Sequence, residues 1–154
     1  REKNNFDHPD SIDFELLYTD LYNIKKNITT DTPIYDYKTH TRKKNETKKI
    51  ENVKVIIIEG IFALFDKKIR NLLSMKIYVD TPSDVRLLRR IKRDMSKRAR
   101  TIEGIIEQYN KTVKPMFTKF VKPTRDYADL IIPFGGKNKV SIDTIVTNIK
   151  KTYI

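Results

Sequence analysis

Apolar positions follow two rhythms along this chain, and the change from one to the other marks its elements. Residues 53 to 59, VKVIIIE, form a nearly continuous β-branched run. That is the pattern of a strand buried on both faces, as in a parallel sheet. Residues 76 to 80, KIYVD, and 129 to 133, DLIIP, repeat it in shorter form. Elsewhere the spacing is helical. Ile12, Leu16, Leu17, Leu21 and Ile24 predict a helix over 11 to 27, capped by Asp10 or Ser11 and closed by Lys25 and Lys26. Thr81-Pro82-Ser83-Asp84 reads as a helix start, with Thr81 as cap and Pro82 in the first turn. Val85, Leu87, Leu88, Ile91 and Met95 follow on that helix, and SKRAR, 96 to 100, leaves it. Residues 101 to 113 and 115 to 127 predict two helices separated at Pro115. Residues 140 to 153 predict a last helix with Ile142, Ile145, Val146 and Ile149 inward.

Residues 33 to 41, PIYDYKTHT, alternate. Ile34, Asp36, Lys38 and His40 share one face of a predicted strand, and Tyr35, Tyr37 and Thr39 the other. KKNETKK then reads as a charged hairpin turn before Ile50. Buried strands alternating with helices imply an α/β fold with a parallel sheet flanked by helices.

The chain has 154 residues, a normal size for one domain, and 38% of them are hydrophobic, enough for a core. The net charge of +12 favours polyanionic partners without choosing among nucleic acid, membrane surface and small-molecule phosphates. Cysteine is absent, which rules out disulfides and thiolate metal sites and fits a reducing, cytoplasmic compartment. No apolar run approaches the roughly 18 residues of a membrane span, so no membrane partner is expected. The start at Arg1, without Met, leads to the expectation that the natural N-terminus lies further upstream.

Residues 86 to 100, RLLRRIKRDMSKRAR, sharpen the question of the anion, because Arg outnumbers Lys there six to two while Lys predominates elsewhere. At i, i+3 and i+4 spacing, Arg86, Arg89, Arg90 and Arg93 share a broad helix face. Asp94 and Ser96 interrupt the run. A surface that reads nucleic acid would interleave aromatic residues, and none lies between Tyr78 and Tyr109. Converging guanidiniums suit a phosphate clamp better.

Three further stretches carry candidate chemistry. VIIIEG, 55 to 60, places Glu59 at the C-terminal end of the predicted strand. Ligands of open α/β sheets bind at that edge, and an acid there can serve Mg²⁺; a solvated strand-end Glu is the bland reading. IYDYKTHTR, 34 to 42, could supply aromatic walls and an imidazole for a flat heterocycle, or only packing. NFDHPDSIDF, 5 to 14, holds Asp7 at a His8-Pro9 turn, as a turn residue or as a carboxylate for sugar hydroxyls.

Taken in order, NFDHPDSIDF, PIYDYKTHTR, VIIIEGIFALFD, KIYVDTPSDVRLLRRIKRD, EQYNKTVKPMF and PTRDYADLIIPFGG resemble the uridine–cytidine kinase family over essentially the whole chain. No single motif is decisive, but the ordered set is highly specific. The resemblance implies a P-loop kinase fold with a small base-binding hairpin over about 33 to 51 and a lid over about 93 to 104. It implies transfer of the γ-phosphate of ATP, with Mg²⁺, to the 5′-hydroxyl of uridine or cytidine. By motif position Asp7 would bind the ribose hydroxyls with Arg90 and Gln108. Tyr35 and His40 would read the pyrimidine edge, and Phe6 and Tyr37 would wall the base. Glu59 would serve the metal. Arg93, Arg98 and Arg100 would act from the lid on the phosphates. A homo-oligomer is expected.

The chain departs from that family in three places. The lid reads KRAR where a Gly commonly precedes the last Arg, and Ala99 lacks glycine's freedom at positive φ. IIPFGG carries Phe134 where an Arg is usual, on the adenine side. The phosphate-cradling G-x-x-x-x-G-K-[ST] sequence and the upstream catalytic Asp are absent, and Gly135-Gly136-Lys137 does not replace the cradle. The resemblance places the P-loop strand between 53–59 and 76–80, so these residues are expected to be the C-terminal portion of one kinase domain, inactive alone. The alternatives are a related P-loop kinase of another small alcohol and a non-catalytic basic module for nucleic acid. The set of Asp7, Tyr35 and His40 weighs against the first.

Overall fold

The computed structural model describes residues 5–36, 39 and 41–153. It is a mixed α/β structure with one parallel strand pair, one antiparallel hairpin and flanking helices. Strand β3 (Ile77–Asp80) pairs in parallel with β4 (Leu130–Pro133), Ile77 opposite Leu130 and Asp80 opposite Pro133. Asp129 starts this register. Its Oδ2 accepts from the Lys76 backbone N–H at 2.8 Å and pairs with Lys76 Nζ at 2.8 Å, while its own N–H donates to Lys76 O. The connection between the two strands is the long helical passage that carries the arginines.

Helix α1 (Phe14–Lys25) forms on the predicted apolar stripe, and Leu21 and Ile24 are buried. Its cap is Asp13, not Asp10 or Ser11: the Asp13 carboxylate accepts from Leu16 N–H. Pro9 and Ser11 instead belong to a separate 3₁₀ turn whose capping acceptor is His8 Nδ1. Proline and the local hydroxyl hold this turn outside the helix.

The hairpin departs further from the prediction. Strand β1 runs Thr30–Asp36 and β2 runs Thr41–Ile50, so the charged KKNETKK segment is strand and not turn. Thr32 faces Lys48 and Pro33 faces Thr47, but Tyr35 already faces Arg42. Residues 43 to 46 are therefore a bulge opposite Ile34, with Asn45 at φ 60° and a 2.8 Å Lys43–Glu46 ion pair. Pro33 has no N–H for the ladder, and Asn tolerates left-handed backbone, so a bulge forms here at little cost. Tyr37, Lys38 and His40 lie outside the described residues.

The predicted strand over 53 to 59 does not form. The segment is irregular, and Ile57 is 80% exposed. A run of β-branched residues becomes a strand only with ladder partners beside it, and none is present along this stretch among the described residues. Residues 61 to 65 then turn, and α2 (Lys67–Leu72) follows with Asp66 as cap, its carboxylate accepting from Ile69 N–H.

Helix α3 (Ser83–Arg98) begins one step later than predicted, with Pro82 at the cap position and no side-chain cap. It also runs three residues into the SKRAR stretch before Ala99 ends it in the left-handed region. Pro115 does not divide the next passage. Helical backbone continues from α4 (Ile102–Gln108) through a π turn at Tyr109–Val113, α5 (Lys114–Met116), a second π turn at Phe117–Val121 and a 3₁₀ segment to Tyr127. In the first wide turn Lys114 N–H reaches back to Tyr109 O. The wider register re-routes the carbonyls that Pro115 cannot serve, so the helix passes the proline instead of stopping. The last helix, α6 (Lys139–Tyr153), turns Ile145 and Ile149 partly inward but leaves Ile142 and Val146 exposed.

The core is small. Phe62, Leu64, Ile69, Ile105, Val121 and Ile132 are buried in it. Phe65 sits among Phe14, Phe62 and Phe120, with ring centroids 5.7, 6.0 and 5.9 Å away. This aromatic cluster joins α1, the 61–65 turn and the long helical passage.

Candidate functional site

Two loci collect the predicted residues. The first is an open cleft of about 1360 Å³ between α1, the hairpin and the 56–59 segment, lined among others by Phe6, Asp20, Tyr35, Arg42 and Glu59. Phe6 reaches it from the 5–11 turn. Ser11 Oγ donates to His8 O at 2.7 Å and to Phe6 O at 3.3 Å, and the His8 ring packs edge-on against Phe120 at 4.7 Å. The turn is thereby tied to the aromatic core; Asp7 is half-buried with its N–H bound to Asn5 Oδ1, but it does not line the cleft.

The hairpin is held over the cleft by Arg42, whose NH2 donates to Asp13 Oδ2 at 2.8 Å. Asp13 thus both caps α1 and anchors β2. Its hydrogen bond from Arg42, helped by the one from Leu16 N–H, holds its carboxyl below the usual range. Asp20, on the next turns of α1, is pushed the other way because burial penalises its charge more than Arg42 relieves it. Glu59 lines the cleft from the irregular segment instead of from a strand end.

The second locus is built by the end of α3 and the start of α4. Arg90 donates to Gln108 Oε1 at 2.9 Å, and Arg100 donates to the same oxygen. Beneath them lies Asp94, with no exposed surface. Its Oδ1 accepts from Arg93 Nε at 2.8 Å and has Arg98 NH1 at 3.3 Å. Its Oδ2 faces Arg90 Nε at 3.7 Å and Arg100 NH1 at 3.9 Å. The guanidiniums, rather than the core, cover this carboxylate. Burial alone would raise its pKa, but the Arg93 hydrogen bond and the charges of Arg93, Arg98 and Arg90 outweigh that and hold it below the usual range.

The broad arginine face predicted for α3 is divided. Arg86 donates to Thr81 O at 3.1 Å and stacks over the Phe117 ring at 3.8 Å, so it is committed to packing. Arg90 and Arg93 turn to Gln108 and Asp94. Ala99 takes φ 49° although it is not glycine, and this left-handed residue swings Arg100 back over α4. The sequence reading missed Asp94 as a participant. Its spacing was the available signal, four residues after Arg90 and four before Arg98.

The structure thus gathers Phe6, Tyr35 and Glu59 around one cleft, and Arg90, Arg93, Arg98, Arg100 and Gln108 into one cluster. Tyr37 and His40 lie outside the described residues. Among the described residues no three His, Cys, Asp or Glu side chains converge on a metal-sized site, and no helix is long and apolar enough to cross a membrane.

Comparison with known proteins adds an independent line. Residues 1–141 match the family described as Phosphoribulokinase / Uridine kinase. The chain is 52% identical over 151 residues to a uridine kinase of Clostridium novyi (strain NT), covering 98% of this chain and 72% of that protein. It is 51% identical over 149 residues to a uridine kinase of Proteus mirabilis (strain HI4320), covering 97% and 70%. It is 50% identical over 145 residues to a mouse protein named uridine-cytidine kinase-like 1, covering 94% of this chain and 26% of that one. At this identity and coverage, the chain belongs to the phosphoribulokinase and uridine kinase family.

Proposed function

We propose that this chain supplies the nucleoside cleft and the arginine lid of an ATP-dependent pyrimidine nucleoside kinase. The observation that carries the reading is the arginine cluster. Arg90 and Arg100 share Gln108 Oε1, and Arg93 and Arg98 stand next to them on Asp94. Four guanidiniums against one carboxylate leave a strongly cationic, preorganised surface, which is what a transferring phosphoryl group requires. The naming of the relatives as uridine kinases supports the same reading.

In this proposal Phe6 and Tyr35 of the cleft, with Tyr37 and His40, receive the pyrimidine. Asp7 holds the ribose together with Arg90 and Gln108. Arg93, Arg98 and Arg100 neutralise charge developing on the phosphate. Mg²⁺ is commonly held by one or two carboxylates completed by phosphate oxygens and water, so a lone Glu59 on the cleft wall suits that role. When bound, the ion would neutralise phosphate charge.

The 154 residues contain no G-x-x-x-x-G-K-[ST] sequence. The backbone N–H cradle and the Lys for the β- and γ-phosphates therefore come from elsewhere, and this chain by itself does not transfer phosphate. The test is direct. MgATP and uridine are incubated with the full-length protein and, separately, with the 154-residue chain. The full-length protein should yield uridine monophosphate, and the shorter chain none. Salt-sensitive binding to random RNA, without turnover of uridine or cytidine by the full-length protein, would replace the kinase reading with that of a nucleic-acid module.

A further inference from the structure

Asp94 has no part in the roles proposed above, yet the cluster is organised on it. Its carboxylate has arginines on both oxygens, from α3 (Arg90, Arg93, Arg98) and from beyond its end (Arg100). Its backbone carbonyl also accepts from the N–H groups of Ala99 and Arg100, so the same residue sets where the chain leaves α3. Side chain and main chain of one residue therefore determine the direction in which Arg98 and Arg100 project.

We propose that Asp94 is a positioning residue for phosphoryl transfer, fixing the lid arginines on one carboxylate so that they meet the phosphates as a preformed array. The proposal rests on the kinase reading. Without a common anion, neighbouring guanidiniums repel one another and spread into solvent. With one carboxylate beneath them they stay together, and the excess positive charge still points outward.

The two carboxylate oxygens are engaged unequally. Oδ1 has the short bond from Arg93. Oδ2 and Arg90 Nε are both buried without a hydrogen-bond partner, although they face each other at 3.7 Å. Buried polar atoms normally find partners. A shift of about 1 Å in Arg90 would close that gap to an ordinary charge-assisted bond. Arg90 and Arg100 both hold Gln108, so tightening on the Oδ2 side links the ribose-side contact to the phosphate-side arginines through Asp94.

A merely structural acid and a positioning acid differ in kinetics. Asp94→Asn removes the anion while keeping shape. Arg93 and Arg98 are about half exposed, so they remain solvated when the charge is lost. The cluster becomes more positive, so ground-state attraction for ATP persists, but the geometry required at the transition state is lost. Steady-state kinetics of the full-length protein should therefore show kcat reduced about 100-fold with KM for ATP unchanged or lower. Asp94→Glu keeps the charge and guards against an Asn variant that does not fold; its displaced carboxylate should still cost about tenfold in kcat. A kcat for Asp94→Asn within about threefold of the unsubstituted protein overturns the proposal, as does a KM for ATP that rises in step with the loss of kcat. Full kcat in Asp94→Glu also overturns it. Absence of uridine phosphorylation by the unsubstituted full-length protein defeats the kinase reading itself, and the role of Asp94 with it.

Discussion

Arg90 reaches from α3 to Gln108 at the end of α4 and donates to its Oε1 at 2.9 Å. Arg100 uses the same acceptor, so one side-chain amide joins the helix face to the segment beyond Ala99. Gln108→Ala leaves both guanidiniums without this partner. Loss of a charge-assisted hydrogen bond of about 1.5–3 kcal/mol should lower kcat/KM for uridine in the full-length protein by about 10- to 100-fold. Initial-rate kinetics at fixed MgATP measure this, and an unchanged value would remove Gln108 from the nucleoside site.

Ala99 occupies the left-handed region at φ 49°, where a Cβ crowds the backbone. Replacing it by glycine removes that cost but gives the unfolded chain more freedom. The first effect wins, because the residue lies outside helical geometry, and Ala99→Gly should stabilise the protein by about 0.5–1 kcal/mol. Urea denaturation reads this as a higher midpoint at unchanged slope. A lower midpoint would mean that the added freedom of the unfolded chain outweighs the relief of Cβ crowding.

Gly135 follows β4 with φ +81°, and a β-carbon there would lie 2.7 Å from Thr81 Oγ1 and 3.3 Å from Arg89 NH1. The loop after β4 therefore closes on the start of α3 only because the position has no side chain. Gly135→Ala should cost about 1–3 kcal/mol from combined strain and contact. Adding Thr81→Ala removes the nearer contact but not the backbone strain, so it should recover only part of the loss. Full recovery in thermal melts would show that φ at 135 contributes nothing.

Acid should act on stability through the depressed carboxylates. Asp94 titrates in the fold below its unfolded value of about 3.9, so its contribution is complete above about pH 4 and disappears as pH falls through the folded pKa. Asp13 and Asp129 run in the same direction. Asp20 runs in the opposite one, since its raised pKa means a cost at neutral pH that is relieved on protonation. The melting temperature should fall as pH drops from about 5 to 3, and Asp94→Asn should flatten that fall. An identical acid limb in the variant would show that the arginines do not favour the charged form of Asp94.

Helices α1, α3 and α6 and strands β3 and β4 were legible as apolar rhythm, because local spacing decides which face an element can bury. The arginines were legible as a cluster because their spacing on a helix brings them near one another. Three things were not. VKVIIIE has the composition of a strand but forms none, since ladder hydrogen bonds come from neighbours and not from the segment itself. KKNETKK has the composition of a turn, but its last three residues pair across the hairpin and its first four form a bulge within β2, next to Pro33. Pro115 looks like a stop but is passed through, since wide turns on either side re-route the helix's hydrogen bonds.

At the site, sequence alone determined which residue types could meet phosphates and a nucleoside, because charge and aromatic character belong to the side chain itself. It did not determine which arginines would gather into one cluster. Arg86 was drawn onto Phe117 and Arg100 onto Gln108, and Asp94 passed from an interruption of the run to the point where four arginines converge. Those assignments depend on how α3 lies against the long helical passage, where contacts between residues distant in sequence choose among partners that local spacing leaves equivalent.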